Sequence, residues 1–224
     1  MRAVSRAADA GVSLPLAEDE EAASAGAGGG RPLSGEKAQR IIDAMRRSVA
    51  RRGTTGSTFD HVSREAGVSR GLLHYYFGTK EQLLVEAVRR DGELRIERLQ
   101  RQLATANTAD DFIDLMAQNL QETVRDDPDL VTLVFELFTL SRRNEDIAAE
   151  YGALLRRTRQ QVAQMLDCAQ RDGVLHLHAE PEAIAEILFS LADGFSLRML
   201  SEPQRDFTST NRDGITCVRA LLTD

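Results

Sequence analysis

From residue 36 onward, apolar residues recur every three or four positions, which is the spacing of one face of an α-helix. The first apolar stripe ends at Gly53 and consists of Ile41, Ile42, Met45 and Val49. Alternating apolar and polar positions, the pattern of a half-buried strand, extend no further than a few residues. The sequence therefore predicts an all-α fold, with later helices at about 80–104, 109–125, 129–142, 145–172, 181–201 and 207–222.

Residues 57–80, with the sequence STFDHVSREAGVSRGLLHYYFGTK, indicate two short helices followed by the start of a long one. Ser57 or Thr58 can cap the first short helix, and Ser69 can cap the second. Between them, Gly67 occupies a turn position where the backbone needs a positive φ, which glycine adopts at low cost. The apolar residues expected to face inward are Phe59, Val62, Ala66, Leu73 and Phe77. This is the sequence form of a helix-turn-helix, whose second helix enters the major groove of DNA.

The second short helix carries the side chains that a DNA-reading helix requires. Its outward and N-terminal positions are occupied by Arg70, Gly71, Leu72 and His74. An arginine can bind a guanine edge with two hydrogen bonds, and an apolar side chain can contact a thymine methyl. Hydroxyl groups and helix starts suit the phosphate backbone, and the residues placed there are Thr58, Tyr75, Tyr76 and Lys80. For the two tyrosines, packing among the helices is the alternative.

Charge is distributed unevenly along the chain, whose formal net charge is −7. Residues 35–90 contain 11 Lys and Arg and 6 Asp and Glu, which is a net charge of +5. Residues 1–34 have a net charge of −2, and residues 91–224 have a net charge of −10. A basic segment on an acidic body is typical of a protein that contacts phosphates with one end. The charge pattern therefore favours double-stranded DNA as a partner.

Residues 36 to about 90 resemble the N-terminal domain of the TetR family of bacterial transcriptional repressors. One ungapped block carries the resemblance, and its matching residues are Ile41, Ala44, Gly53, Thr58, Val62, Ala66-Gly67-Val68-Ser69, Gly71, Leu73, Phe77, Lys80-Glu81 and Leu83-Leu84. The resemblance implies that the four outward residues of the second helix face bases and that the other four contact the DNA backbone. His74 stands where the family usually has tyrosine. Asp60 would face phosphates unless it serves as a capping carboxylate.

The resemblance also implies a division of the chain into functional regions. Residues 35–80 would form a helix-turn-helix DNA-binding domain. Residues 81–224 would form a helical domain that binds a ligand and dimerises. Residues 1–34 are rich in Ala, Gly and Ser and lack periodic apolar positions, so we expect them to be a disordered tail.

The last two predicted helices carry apolar stripes that suit a two-fold dimer interface. Burial of these stripes within one subunit is the alternative. A dimer would present two recognition helices about 34 Å apart, which is one turn of DNA. The residues predicted at the interface are Ile184, Ile187, Leu188, Leu191, Phe195, Ile215, Val218 and Leu222.

Large, adaptable apolar side chains on the middle helices are candidates for the pocket of a small, apolar effector. Most apolar side chains on these helices must belong to the ordinary core. The candidates for ligand contact are Phe112, Met116, Phe135, Phe138 and Met165.

The remaining residues give little sign of other chemistry. His176 and His178 follow Gly173 and precede Pro181, and a solvated loop explains them better than a metal site, because no third ligand is fixed by spacing. Catalytic and cofactor-binding motifs are missing from the sequence, so we expect neither enzyme activity nor a cofactor. Two widely separated cysteines and no apolar run that could cross a bilayer predict a cytoplasmic protein that does not enter a membrane.

These features together predict a ligand-responsive transcriptional repressor. We expect it to bind a roughly palindromic operator as a homodimer and to be released by a small molecule. The first alternative is a ligand-independent regulator controlled by a protein partner. The second alternative is an enzyme with a fused DNA-binding module, which the lack of a catalytic motif disfavours.

Overall fold

Nine α-helices build the part of the chain that the computed structural model describes, residues 35–223. Short turns and loops connect them, and there is no strand within that range. In chain order the helices are α1 (Gly35–Gly56), α2 (Phe59–Ala66), α3 (Arg70–Phe77), α4 (Lys80–Leu103), α5 (Ala109–Asp126), α6 (Pro128–Ser141), α7 (Glu145–Arg171), α8 (Pro181–Ser201) and α9 (Thr208–Leu222).

The all-α class predicted from the apolar periodicity is confirmed. Each later helix, from α4 to α9, begins and ends within one residue of its predicted boundary. The agreement follows from the repeating apolar positions, which indicate the helices, and from the proline and capping residues, which mark their ends. The predicted tail, residues 1–34, lies outside the described residues and remains a prediction.

Local hydrogen bonds fix the two helices of the predicted helix-turn-helix. The hydroxyl of Thr58 accepts from the backbone N–H of His61 at 3.4 Å, and the hydroxyl of Ser69 accepts from the N–H of Leu72 at 3.2 Å. Between the two helices, Gly67 has φ 66° and ψ 39°, in the left-handed region that strains other residues. Thr58 and Ser69 are therefore the helix caps, and the turn requires its glycine.

An apolar core holds the first three helices against the rest of the fold. Val62 on α2 and Leu73 on α3 are fully buried, and Leu84 from the first part of α4 packs in the same cluster. Leu133 and Leu137 of α6 join it. Since burying such a side chain contributes about 1.5–3 kcal/mol, these contacts dominate the attachment of α3.

A second apolar core lies among the later helices. It includes Ile96 from the second half of α4, Phe112 from α5 and Leu166 from α7. Ile184 of α8 and Leu222 of α9 complete it and are also fully buried. Helix α4 therefore contributes to both cores and connects them.

Ion pairs tie α1 to α2 at the surface. Arg47 Nε and Arg51 Nη2 lie 2.7 and 2.6 Å from the same Glu65 Oε1. Partial burial disfavours the charge on Glu65, but hydrogen bonds from the two arginines outweigh it and hold the pKa of this carboxyl below its ordinary 4.5. A lowered folded-state pKa means that the stabilisation is present above pH 4.5 and is lost as the pH falls through the folded pKa.

We expect Glu65→Gln to lower the free energy of unfolding at neutral pH by about 0.5–1 kcal/mol, because the arginine partners are partly exposed. The difference from the wild type should shrink as the pH falls below 4.5. Chemical unfolding followed by circular dichroism measures it, with Glu97→Gln at an exposed position of α4 as the control. A difference that stays constant with pH would assign the effect to the packing of Glu65 instead of its charge.

Candidate functional site

Helix α3 packs on the first core with one face and leaves the other face accessible. Leu73 is fully buried, and Phe77 is half-buried against the same core. Arg70, Gly71 and His74 are all exposed. The accessible face therefore carries three of the four residues predicted to face bases.

Leu72 differs from its expected outward position. It is half-buried and packs against the core of α1–α4. Its neighbour Leu73 lies at the centre of that contact, and the apolar face of a core-packed helix is wide enough to include both positions. Leu72 therefore helps to hold α3 in place, and its contact with a base stays a prediction.

Arg70 has partners within the chain. Its Nη1 lies 3.2 Å from Oδ1 of Asp60 on α2, and its Nε donates to Nε2 of His74 at 3.3 Å. Asp60 is therefore not the capping carboxylate, because Thr58 caps α2, and it partly neutralises the arginine instead. Both side chains of the ion pair are more than half exposed, so the pair is weak and leaves Arg70 able to exchange partners.

His74 is oriented by three contacts. Its Nε2 accepts from Arg70, and its Nδ1 lies 3.3 Å from the carbonyl oxygen of Gly78. A neutral imidazole that accepts at Nε2 carries its proton at Nδ1, which then donates to Gly78. The ring also packs edge-on against Phe59, with 4.7 Å between the ring centroids. The histidine that stands where the family usually has tyrosine is thus held in position by its neighbours.

The residues predicted to contact the DNA backbone surround α3. Tyr75 is 60% exposed and packs edge-to-face against the half-buried Tyr76, with 5.0 Å between the ring centroids. Thr58 is exposed at the start of α2, and Lys80 is half-buried at the start of α4. Lys80 Nζ donates to the carbonyl oxygen of Thr54 at 3.0 Å, a structural contact that the sequence did not indicate. Contact of these residues with phosphates stays a prediction.

A cavity of about 310 Å³ lies among α4, α5, α7, α8 and α9. Its volume is at the lower end of the range of about 300–1,000 Å³ that is usual for small-molecule pockets. Its walls are almost entirely apolar, with Ile96, Leu99, Met116, Leu188, Phe195 and Ile215 among the lining residues. The cavity therefore suits a small molecule with a large apolar part.

The lining also includes a few residues with polar side chains, namely Arg95, Asn119, Gln121, Thr123, Thr158 and Asn211. Arg95 Nη1 donates to the hydroxyl of Thr123 at 3.1 Å. That hydroxyl donates in turn to the carbonyl oxygen of Asn119 at 2.8 Å. These three residues form a polar corner of the cavity where α4 meets α5.

The structure places the predicted ligand contacts in different environments. Met116 lines the cavity, and its contact with a ligand stays a prediction. Phe112 and Met165 are buried in the second core instead. Phe135 is half-buried and Phe138 is 50% exposed, both on α6, which packs mainly against α1 and α7 and contributes no residue to the cavity. These four residues therefore lie outside the cavity lining, because apolar character alone does not distinguish a cavity wall from the core or from the surface.

The apolar stripes on α8 and α9 are also divided. Ile184 and Leu222 are completely buried within the single chain, which corrects their assignment to a dimer interface because no surface is left for a partner. Ile187 is 41% exposed. The other predicted interface residues line the cavity, and they are Leu188, Leu191, Phe195, Ile215 and Val218. The alternative of burial within one subunit thus holds for part of each stripe.

A group of ion pairs connects α1 to the cavity. Arg46 Nε lies 2.9 Å from Asp91 Oδ2, and the two buried atoms are not aligned for a hydrogen bond. Asp127 binds both Arg46 and Arg95, and its Oδ1 also accepts from the N–H of Leu130 at 3.2 Å and so caps α6. Burial raises the pKa of Asp91, and the two nearby arginines oppose this shift. Asp127 therefore bridges a cavity residue and the first helix.

The described residues form neither a metal site nor a membrane-spanning helix. Within residues 35–223, no group of three or more His, Cys, Asp and Glu residues is arranged to hold a metal ion. His178 Nε2 lies 2.9 Å from the carbonyl oxygen of Thr223, and the rings of His176 and His178 are 5.4 Å apart. Over the same described range, every helix is too short or too polar to cross a membrane.

Both parts of the chain are similar to known transcriptional regulators. Residues 41–87 match the bacterial regulatory proteins of the tetR family, and residues 109–212 match the C-terminal region of BetI-type transcriptional repressors. The HTH-type transcriptional regulator PksA of Bacillus subtilis is 25% identical over 185 residues, covering 80% of this chain and 84% of that protein. The first match contains α2 and α3, and the second contains α5–α8.

Solved structures share the architecture. A transcriptional regulator from Saccharomonospora viridis in complex with choline has a TM-score of 0.68 and 23% identity, covering 85% of this chain and 100% of that chain. The regulator FadR from Bacillus subtilis in complex with stearoyl-CoA has a TM-score of 0.68 and 18% identity, covering 80% of this chain and 96% of that chain. At these identities the likeness is one of fold.

Proposed function

The chain belongs to the TetR family of bacterial transcriptional regulators, and on that premise we propose that it is a repressor that a small molecule releases from DNA. In this proposal α3 enters the major groove of a roughly palindromic operator. The observation that carries it is the accessible face of α3, with Arg70, Gly71 and His74 mounted on a buried core within a segment of net charge +5.

The cavity supports the proposal that a small molecule controls the repressor. Its apolar walls favour an apolar effector, and relatives of the same fold bind choline and stearoyl-CoA. A ligand can release the protein from DNA only if it binds the released state more tightly than the DNA-bound state. The cavity must therefore be coupled to the position of α3.

Helix α4 provides a direct mechanical connection. It begins at Lys80, next to the predicted DNA surface, and carries Arg95 into the cavity. At 1.5 Å per residue, these positions are about 22 Å apart along the helix. A ligand that shifts α4 would change the separation of the two recognition helices in a dimer, so that they no longer fit adjacent half-sites.

We place the dimer contact on α8. Ile187 and Gly194 are seven residues apart and share one face of that helix. Ile187 is 41% exposed, and a Cβ added at Gly194 would meet no atom within 4 Å, so a helix of a second copy can approach closely. A two-fold pair would present α3 twice to DNA, as a palindromic operator requires.

Two substitutions should separate base reading from phosphate binding. Arg70→Ala is expected to cost about 1–2 kcal/mol per half-site of the preferred operator and to relax the choice at one base pair of each half-site. Lys80→Gln should weaken binding on all sequences and reduce the salt slope by about 2, because one phosphate contact is lost in each subunit of the dimer. Mobility shifts at several salt concentrations, on DNA that the protein selects from a random library, measure both effects.

Asp60→Asn is the matched control for the arginine. It removes the intramolecular partner of Arg70 while keeping the arginine itself, so binding should be retained or strengthened. Failure of the protein to select any sequence would overturn the repressor proposal. Uniform weakening of every sequence by Arg70→Ala would overturn the base-reading role alone.

A further inference from the structure

Arg95 is the charged side chain of the cavity lining, and no described lining residue is Asp or Glu. The Arg95 guanidinium lies in the polar corner, where it donates to Thr123. Thr158 donates its hydroxyl to the backbone carbonyl of Leu154 within its own helix, at 3.0 Å. The one charged side chain of the described lining is therefore a cation, and its guanidinium is paired with Asp127.

The rest of the cavity offers apolar contact. Leu188 and Phe195 of α8 face the space together with Ile215 of α9. Aromatic side chains in the lining are Phe189 and Phe195, and the described lining contains no tyrosine or tryptophan. Quaternary ammonium ions are usually bound by several aromatic faces, with Trp and Tyr prominent among them. A cationic head group would meet few of these partners here.

We propose that the effector of this protein is an apolar molecule that ends in a carboxylate, with the carboxylate bound by Arg95 and the apolar body enclosed by α8 and α9. The proposal rests on the proposed function in assigning the cavity to an effector. A guanidinium matches a carboxylate in geometry and charge, because two of its N–H groups can donate to the two oxygens. This chemistry differs from that of choline, which the relative from Saccharomonospora viridis binds.

The position of Arg95 connects ligand binding to the first helix. Arg95 donates to Asp127, and Asp127 also binds Arg46 on α1. A ligand carboxylate would compete with Asp127 for the N–H donors of Arg95. The exchange would loosen the attachment of Asp127 and change the contact that holds α1 against the start of α6.

Three probes with the same ten-carbon tail test the head group: decanoate, 1-decanol and decyltrimethylammonium, each below its micellar concentration. Calorimetry on the DNA-free protein should give decanoate at least about a tenfold tighter binding than the ammonium compound, as expected for a charge-assisted hydrogen bond. The alcohol should bind with intermediate affinity. Equal or tighter binding of the cation, or no binding of any probe, would overturn the proposal.

Variants of Arg95 test the residue. Arg95→Gln should weaken decanoate binding by at least about tenfold and change decanol binding less than about threefold, whereas Arg95→Lys should keep the preference for the anion. An unchanged ratio of decanoate to decanol affinity in folded Arg95→Gln would contradict the assignment. If Arg95→Gln does not fold, the preference for decanoate is measured on the wild type at high salt. Loss of the preference would support a role of charge, and its persistence would contradict that role.

Different results would contradict the proposed ligand class and the proposed repressor function. In a mobility shift, decanoate should reduce DNA binding by the wild type and have a weaker effect on Arg95→Gln. Decanoate binding without any effect on DNA binding would contradict release by an effector and leave the ligand class standing. Formation of a specific DNA complex by a protein that binds the cation more tightly would contradict the ligand class and leave the repressor function standing.

Discussion

Replacement of Arg46 by methionine is expected to lower the free energy of unfolding by about 3–5 kcal/mol. Arg46 is the ion-pair partner of Asp91, whose side chain is 8% exposed. Without the arginine, a buried carboxylate keeps its desolvation cost and loses its main compensating charge. Asp127 is less affected, because it retains Arg95 and the N–H of Leu130. Chemical unfolding of the DNA-free protein, followed by circular dichroism, measures the loss.

The double variant Arg46→Met with Asp91→Asn is the control for this prediction. Removal of both charges should recover much of the lost stability, since a buried ion pair can often be replaced at little net cost. Burial already raises the pKa of Asp91, and loss of Arg46 should raise it further. The defect of Arg46→Met should therefore be fully present at neutral pH and shrink as the pH falls towards the ordinary aspartate value of 3.8. A double variant no more stable than Arg46→Met would assign the loss to the packing of the arginine.

Replacement of Gly71 by alanine is expected to stabilise the free protein and to impair DNA binding. A Cβ at Gly71 would meet no atom of the chain within 4 Å, and alanine favours a helix by roughly 0.5–1 kcal/mol over glycine. The protein alone therefore gives no steric reason for glycine on this exposed face. If the backbone of α3 approaches the bases, a methyl group would overpack that contact and cost roughly 2–3 kcal/mol of binding free energy.

Thermal unfolding and mobility shifts on the same preparation of Gly71→Ala test both parts. Gly92→Ala is the matched control, because Gly92 lies within α4, away from α3, and also has open space around its Cβ position. The control should gain stability and bind DNA like the wild type in the absence of an effector. Full DNA affinity of Gly71→Ala would mean that α3 does not approach DNA at this residue.

The helix-turn-helix could be predicted from the sequence because its determinants are local. Thr58 and Ser69 cap their helices through hydrogen bonds to residues three positions ahead, and Gly67 supplies the positive φ of the turn. Leu73 was expected to face the core from its spacing, and it is fully buried. Each feature depends on the chain within one helical turn, so its residue pattern is visible without knowledge of the rest of the fold.

The cavity could not be predicted in the same way. Apolar residues that form core and apolar residues that form a cavity wall have the same spacing, so Phe112 was indistinguishable from Met116 in sequence. A possible signal was Arg95, a charged residue one position before the apolar Ile96 and four before Leu99. That pattern is equally typical of an arginine at the edge of an ordinary helix face.

The sequence by itself determined the helices, their caps and turn, and the basic segment that presents α3, because these follow from contacts between neighbours along the chain. Tertiary structure decided which stripe residues of α8 and α9 are buried and which line the cavity. It also joined Arg46 to Asp127 across 81 positions of sequence. The physical reason is that side-chain burial and ion pairing between distant segments depend on how the helices pack, and helical periodicity fixes only which residues share a face.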